Sequence, residues 1–329
     1  MEIPGIFHRD QESAQETKRP KPLANTVLGR TLYYGGHAAQ GRILAALPPT
    51  RGRDVRQPVF IIGCGRSGTT LLGRIFSLHP DVKYLFEPNH LWAAIDASTD
   101  FSQVYSRGDY HCFLDADSVT TSARRRFSRL LSSPEGVTLV EKSPTNALRI
   151  GYLNALAPDA RFVHIVRDGI AVARSIEKMA TTTRRVLFRS PVNDWWGSGG
   201  AKWSALRQDG RAAGYYRDEV DRLATSVQRA AYEWLLSVRE AEMWRAPLDS
   251  RFSTIRYEDL GDDPCTIIRE LMTKLELACP DYWLRNAAKL VRAPIVSHRE
   301  PIALPSQMYT DFNTWQERFG FEGRATELV

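Results

Sequence analysis

The sequence predicts an α/β fold, a three-layer P-loop-like arrangement in which helices flank a central parallel sheet. Short apolar runs rich in Val, Ile and Phe recur along the chain, and helix-sized stretches separate them. This pattern is typical of buried parallel strands joined by right-handed crossovers. The first run leads into a glycine-rich turn and then an apolar helix, as in phosphate-binding α/β proteins. The predicted strands are residues 59–62, 82–86, 137–140, 161–166 and 252–257.

The composition is that of a globular protein with one main domain. The chain has 329 residues, of which 43% are hydrophobic and 25% charged, enough to bury a large core. Residues 1–56 are predicted to be an N-terminal arm with a possible helix, and residues 57–329 the main domain. An aromatic-rich insertion at about 181–250 contains Trp195, Trp196 and Trp234. Aromatic residues at helical spacing usually form core, and the alternative is that they line an acceptor pocket.

The net charge, the cysteine spacing and the hydropathy indicate what the protein binds, whether it holds a metal and whether it crosses a membrane. The net charge of +6 suits an anionic nucleotide or an acidic acceptor as well as nucleic acid. The four cysteines lack metal-binding spacing, so we expect reduced thiols and no metal site. No apolar run approaches the ~20 residues of a membrane span, and the N-terminus does not resemble a signal peptide. We therefore expect a cytoplasmic protein without a transmembrane segment.

The turn after the first strand, GCGRSGTT at 63–70, is predicted to bind a phosphate or sulfonate. A glycine-rich turn before a helix directs free backbone N–H groups at an anion. Thr69 stands where a nucleoside-triphosphate P-loop has its lysine, whereas Arg66 can grip an oxyanion with its planar fork. A tight turn without a ligand is the alternative. The predicted binding residues of this turn are Gly65, Arg66, Ser67, Gly68, Thr69 and Thr70.

These residues carry a resemblance to a known family. The segment RSGTT after a strand resembles the 5'-phosphosulfate-binding motif of sulfotransferases that use 3'-phosphoadenosine-5'-phosphosulfate (PAPS). The segment YLFEP at 84–88 is similar to one in carbohydrate sulfotransferases, and its glutamate lies at the spacing of the base in tyrosylprotein sulfotransferases. The segment EKSP at 141–144 resembles the one that presents a catalytic lysine in glycosaminoglycan and tyrosine sulfotransferases. The resemblance implies Glu87 as general base and Lys142 as a catalytic residue.

The resemblance extends to the nucleotide. Arg167, with Ser175 eight positions later, resembles the family's site for the 3'-phosphate. The segment RYEDL at 256–260 resembles one whose tyrosine approaches the nucleotide, which implies Tyr257. Ser297 and Arg299 precede a proline-containing stretch and are assigned to a loop over the nucleotide.

The sequence also departs from family patterns. Met179 stands where tyrosylprotein enzymes have an arginine, which puts the tightness of 3'-phosphate binding in question. The cytosolic small-molecule enzymes use a histidine base, and no histidine here sits in that context, although His90 lies near Glu87 and is kept as an alternative. His164, within an apolar strand, is interpreted as a core residue, and Asp168 as a helix cap.

A positional argument supports the resemblance. Arg66, Glu87, Lys142 and Arg167 each follow a predicted strand, and the carboxyl ends of parallel strands share the edge where such sheets bind ligands. The chain thus resembles a soluble bacterial sulfotransferase, with residues 57–329 as its catalytic domain. The resemblance implies PAPS as donor, 3'-phosphoadenosine-5'-phosphate (PAP) as product, no metal, no nucleic acid, and a hydroxylated glycan, lipid or small-molecule acceptor.

In this scheme Glu87 takes the acceptor's proton, while Lys142 and Arg66 stabilise charge on the transferring group. Two hypotheses remain beside it. One is a P-loop phosphotransferase, which calls for a lysine at position 69 and Mg²⁺. The other is a non-catalytic module that binds polyanions.

Overall fold

A computed structural model describes residue 36 and residues 39–46, 55–106, 110–181, 195–292 and 300–328. Most of the predicted N-terminal arm lies outside these residues, and residues 39–46 within it are helical. Ser297 and Arg299, and the first part of the aromatic insertion, also lie outside them.

The centre of the fold is a parallel sheet with the strand order β2-β3-β1-β4-β5. β1 lies in the middle and pairs in parallel with β3 on one side and β4 on the other. β2 pairs with β3 and forms one edge of the sheet, and β5 pairs with β4 and forms the other edge. The predicted α/β class with a central parallel sheet is confirmed. The strands are β1 Val59–Ile62, β2 Val82–Phe86, β3 Thr138–Lys142, β4 Arg161–Val166 and β5 Phe252–Arg256.

Two strand predictions need correction. β3 continues to Lys142 instead of ending at residue 140, because Glu141 and Lys142 pair with β1 and β2 on either side. The sequence prediction followed apolar residues only, so it stopped before the charged residues Glu141 and Lys142. β5 ends at Arg256, since Tyr257 begins the helix Tyr257–Asp262.

Helices cover both faces of the sheet. The side chains of β1 alternate between two clusters: Phe60 and Ile62 pack in one, and Val59 and Ile61 in the other. This two-sided burial is why the strands are continuous apolar runs. The helices are α1 Thr69–Ser77, α2 Asn89–Ile95, α3 Gln103–Ser106, α4 Thr121–Leu130, α5 Ile150–Leu156, α6 Gly169–Thr181, α7 Ala201–Ala212, α8 Ser226–Leu248, α9 Tyr257–Asp262, α10 Pro264–Lys274, α11 Asp281–Ala288 and α12 Ser306–Arg318.

The long helix α8 organises the aromatic-rich segment. It begins at Ser226, where a capping box of Thr225 and Gln228 fixes its start, as such boxes do. Trp234 and Tyr232 on this helix are fully buried. The core interpretation therefore holds for these rings, while Trp195 and Trp196 are only partly buried.

Two short strands, Ala303–Leu304 (β6) and Thr326–Glu327 (β7), pair in parallel near the C-terminus. The last helix, α12, begins at Ser306 and ends at Arg318. In the part of the chain that the structure describes, none of the helices has the length and apolar character required to cross a membrane.

Candidate active site

The predicted site residues follow one another along the carboxyl edge of the sheet. The strand order places the ends of β2, β3, β1, β4 and β5 in sequence along this edge. They carry Glu87, Lys142, the phosphate loop, Arg167 and Tyr257 respectively. Neighbouring strands lie roughly 4.8 Å apart, so the ends of β2 and β4 are roughly 14 Å from each other. The edge thus carries the acid–lysine pair towards one end and the arginines towards the other.

The glycine-rich turn joins β1 to α1 in a conformation that only glycine adopts easily. Gly63 and Gly68 have φ angles of 144° and 100°, which L-residues rarely adopt. A Cβ on Gly68 would lie 2.4 Å from Cδ2 of Tyr257, so the Tyr257 ring packs directly on the turn. No side chain caps the first turn of α1. Its N–H groups and the positive helix end are therefore available to an anion.

Two arginines meet beside this turn. Arg66 donates from Nε to Oγ of Ser175 at 3.1 Å, and Arg167 donates from Nη1 to the carbonyl oxygen of Arg66 at 3.3 Å. The Arg167 guanidinium also lies over the Tyr257 ring, 4.5 Å from its centroid. Partial desolvation and the Arg167 charge lower the pKa of Arg66. Two cations held this close favour an anion between them.

Glu87 and Lys142 form a close ion pair towards the β2 end of the sheet edge. Lys142 Nζ donates to Glu87 Oε1 at 2.5 Å, with side-chain exposures of 3% and 31%. The Glu87 N–H also donates to the Lys142 carbonyl oxygen at 2.8 Å. The ammonium lies 4.9 Å from the centroid of the Phe86 ring, and this ring is 55% exposed. The carboxylate thus reaches solvent while the lysine beneath it does not.

Backbone strain coincides with two of these candidates. Arg66 has a φ of 74° and Glu87 a φ of 44°, unusual values for residues with a Cβ. Such conformations persist where the surroundings fix them, and they concentrate at functional sites. At Glu87 the fixing contacts are the hydrogen bonds to Lys142 and the N–H of Asn89, which donates to the Glu87 carbonyl at 2.7 Å.

Sequence reasoning gave no role to Glu141, a fully buried carboxylate behind Lys142. It accepts hydrogen bonds from Trp92 Nε1 at 3.0 Å, Ser143 Oγ at 2.5 Å and Asn146 Nδ2 at 2.6 Å. Burial raises its pKa, and these donors oppose the rise. The carboxylate ties α2 and the turn after β3 together and so fixes the strand end that carries Lys142. In the sequence, Glu141 was marked only by its position directly before Lys142 in the segment EKSP.

Arg167 is held by its neighbours at the start of α6. Trp234 Nε1 donates to the Arg167 carbonyl oxygen at 3.1 Å. Asp168 accepts from the Ala171 N–H at 2.8 Å, which makes it the predicted helix cap. Asp168 also accepts from Gln316 Nε2 at 3.1 Å, and its own N–H donates to Glu258 at 3.1 Å.

The other singled-out residues lie in different surroundings. His164 is 1% exposed, in agreement with a core role, and burial lowers its pKa. His90 lies half-buried on α2. Met179 is 43% exposed on α6. Within the described parts of the chain, His, Cys, Asp and Glu side chains form no group of three placed to hold a metal ion.

Comparisons with known proteins agree with this architecture. A model described as "Sulfotransferase family" matches residues 58–281, more than half of the chain. Carbohydrate sulfotransferase 5 of Mus musculus is 26% identical over 277 residues, which cover 67% of this chain and 64% of that protein. Nodulation protein NoeE of Sinorhizobium fredii is 29% identical over 128 residues, 36% of this chain and 30% of that protein. The chain thus spans less than two thirds of the length of these relatives.

Among solved structures, the sulfotransferase domain from the curacin biosynthetic pathway is similar with a TM-score of 0.51. It is 16% identical, and the similarity covers 82% of this chain and 99% of that domain. At this identity the similarity concerns the fold.

Proposed function

Since the chain belongs to the sulfotransferase family, we propose that it transfers a sulfuryl group from PAPS to a hydroxyl of a glycan, lipid or small natural-product acceptor, with Glu87 as general base. The observation that carries this proposal is the arrangement along one sheet edge. It combines an anion-binding turn, two converging arginines and a solvent-reaching carboxylate paired with a buried lysine.

The two arginines at one end of the sheet edge match the negative charges of the nucleotide. PAPS carries a 3'-phosphate besides its 5'-phosphosulfate, so it needs two anion sites on one side. Arg167 and Ser175 would hold the 3'-phosphate, and the N–H groups of the turn with Arg66 the 5'-phosphosulfate. Tyr257, packed on both Gly68 and Arg167, keeps these two sites in a fixed relation. Because the Arg167 guanidinium already stacks on the Tyr257 ring, less conformational freedom of the Arg167 side chain is lost when the nucleotide binds.

At the other end of the sheet edge, the solvent-reaching carboxylate of Glu87 is placed to meet the acceptor hydroxyl. The acceptor oxygen attacks sulfur in line, a new S–O bond forms, and the S–O bond to the 5'-phosphate breaks. Glu87 Oε takes the proton that the acceptor hydroxyl loses, and the phosphate oxygen leaves with the electron pair as PAP. Lys142, held against Glu87, stabilises negative charge on the transferring group and the leaving oxygen, together with Arg66. General-base assistance of this kind contributes about 10²- to 10⁴-fold in rate.

Titration with PAP by calorimetry in EDTA, beside adenosine 5'-phosphate and ATP, tests the donor site. We expect metal-independent binding of PAP that is much tighter than binding of adenosine 5'-phosphate, because only PAP has the 3'-phosphate. Arg167→Ala should weaken PAP binding about 10- to 100-fold, the effect of losing a hydrogen bond to a charged group. Arg269→Ala removes an equal charge from the surface of α10 and should leave the affinity unchanged.

The alternatives give other results. A phosphotransferase would prefer ATP and require Mg²⁺, and Thr69 in place of lysine speaks against it. A polyanion-binding module would bind PAP no better than other anions, and it would lose no affinity specific to the 3'-phosphate in Arg167→Ala. Either outcome would overturn the proposed donor.

A further inference from the structure

Trp195, at the start of the second described part of the aromatic insertion, packs against the phosphate loop. A Cβ on Gly65 would lie 2.8 Å from Cη2 and 3.1 Å from Cζ2 of its indole. No other residue type at position 65 leaves room for the ring in this position. The loop conformation and the position of the indole therefore depend on each other.

A buried ion pair fixes the position of this indole. Trp195 Nε1 donates to Glu233 Oε2 at 3.0 Å, and Lys202 Nζ donates to Glu233 Oε1 at 2.7 Å. Glu233 is 6% exposed and Lys202 8%. The ammonium also lies 4.4 Å from the centroid of the Trp195 ring. The indole is thus held at its N–H by the carboxylate and at its face by the cation.

The ion pair also lies close to the loop itself. Cys64, the loop residue before Gly65, is 2% exposed. Burial and then the charge of Glu233 raise the pKa of its thiol, while Lys202 and a hydrogen bond with Ser237 lower it. Ser237 donates to the Glu233 carbonyl at 2.8 Å. One turn of α8 thus supports the loop through both Cys64 and Trp195.

From these contacts we propose that Glu233 and Lys202 are positioning residues for donor binding, which act on the phosphate loop through Trp195. This inference rests on the proposed function and adds a specific support for the same site. A buried ion pair is costly to assemble and weak as a source of stability alone. Its use here is to fix one orientation of the indole against Gly65, and with it the direction of the loop's N–H groups towards the anion.

PAP binding followed by calorimetry and by tryptophan fluorescence tests the inference. Trp195→Phe keeps a ring on Gly65 and leaves the Lys202–Glu233 pair intact, so the variant should fold. It loses the N–H donor, and we expect PAP affinity to fall about tenfold, as for one hydrogen bond to a charged group. The fluorescence change on PAP binding should become smaller, because Trp195 packs on the loop, while Trp234, which donates to the Arg167 carbonyl, still responds.

Trp196→Phe is the matched control. Trp196 donates to Ser226 Oγ at 3.3 Å and packs on Trp203. Lys202 Nζ lies 5.7 Å from its ring centroid, and phenylalanine keeps a ring at that place. This variant should keep the PAP affinity and the fluorescence response of the wild type.

A double-mutant cycle shows whether Glu233 acts through Trp195. Glu233→Gln should weaken PAP binding, and in the Trp195→Phe background it should add little further loss, because contacting residues on one path are not additive. In steady state, the KM for PAPS should rise more than kcat falls, since the loop binds donor in both ground and transition state.

Unchanged affinity and fluorescence in Trp195→Phe would overturn the inference, and so would fully additive losses in the cycle. These outcomes leave the proposed function standing if the wild type binds PAP. If the wild type itself does not bind PAP, the proposed function fails, and the inference fails with it.

Discussion

The pair of Glu87 and Lys142 allows a sharp test of the chemistry, because its two members differ in exposure. Glu87→Gln removes the proposed proton acceptor but keeps a carbonyl oxygen that can accept from Lys142 Nζ, which lies 2.5 Å from the carboxylate. The variant therefore changes proton transfer with little change in shape. The residues that would hold the nucleotide lie elsewhere on the edge. Arg66 is on the loop after β1, Arg167 follows β4 and Tyr257 follows β5, and these strands are two, three and four positions from β2.

The expected magnitudes separate the two effects. Loss of a general base should lower kcat about 10²- to 10⁴-fold. Removal of one partner of a fully buried ion pair costs about 3–5 kcal/mol, but Glu87 is 31% exposed and glutamine still accepts a hydrogen bond. We therefore expect a loss of about 1–2 kcal/mol in unfolding free energy. For a chain of this length this corresponds to a Tm lower by about 1–3 °C, so the variant remains folded at assay temperature.

The assay is transfer of radiolabelled sulfate from PAPS to a panel of oligosaccharides, hydroxylated lipids and phenols, with PAP affinity measured on the same preparations. Glu135→Gln, an exposed glutamate before β3, is the matched control and should keep full activity. Glu87→Gln should bind PAP within about twofold of wild type, since the donor site is untouched.

A different result would refute the assignment of the base. Retention of more than a third of wild-type kcat in Glu87→Gln would show that another group takes the proton. A loss of activity matched by an equal loss of PAP affinity would show that the residue supports binding instead of proton transfer.

Three further predictions follow from the same contacts. Gly65→Ala places a methyl group against the Trp195 indole and should weaken PAP binding at least about fivefold by calorimetry while the Tm changes little. Glu141→Ala leaves buried donors unpaired and should lower the unfolding free energy by about 2–4 kcal/mol in urea titrations; unchanged stability would contradict this. Burial opposes ionisation of Glu242, but His164 and Arg245 lower its pKa to about 2 from 4.5. Its stabilisation is therefore complete above about pH 4.5 and lost towards pH 2, so the stability deficit of Glu242→Gln in denaturant titrations should shrink over that window.

Local patterns were enough for the architecture. Runs such as VFII and RFVHIV are apolar on both faces because helices cover both sides of the sheet, and their limits agree with β1 and β4. The turn at 63–70 was identifiable because glycine at 63 and 68 permits φ angles closed to other residues. The convergence of Arg66, Glu87, Lys142 and Arg167 on one edge followed from the geometry of parallel strands.

The order of the candidate residues along the sheet edge could be seen only in the tertiary structure. The chain order of the strands does not give the order β2-β3-β1-β4-β5, which sets the Glu87–Lys142 pair at one side of the loop and Arg167 at the other. Nor does the sequence show that β3 extends through Glu141 and Lys142, since a buried charge becomes acceptable only when distant donors such as Trp92 surround it.

The sequence by itself determined the class of fold, the glycine-rich turn proposed to bind an anion and the identity of the candidate groups, because these depend on short-range patterns of hydrophobicity and backbone freedom. The tertiary structure decided which of these groups touch. The pairs Lys142–Glu87, Arg66–Ser175 and Lys202–Glu233 are 55, 109 and 31 residues apart in the chain. Contacts over such separations are set by packing of whole elements, and this is why the sequence alone did not show that Trp195, Lys202 and Glu233 contact one another.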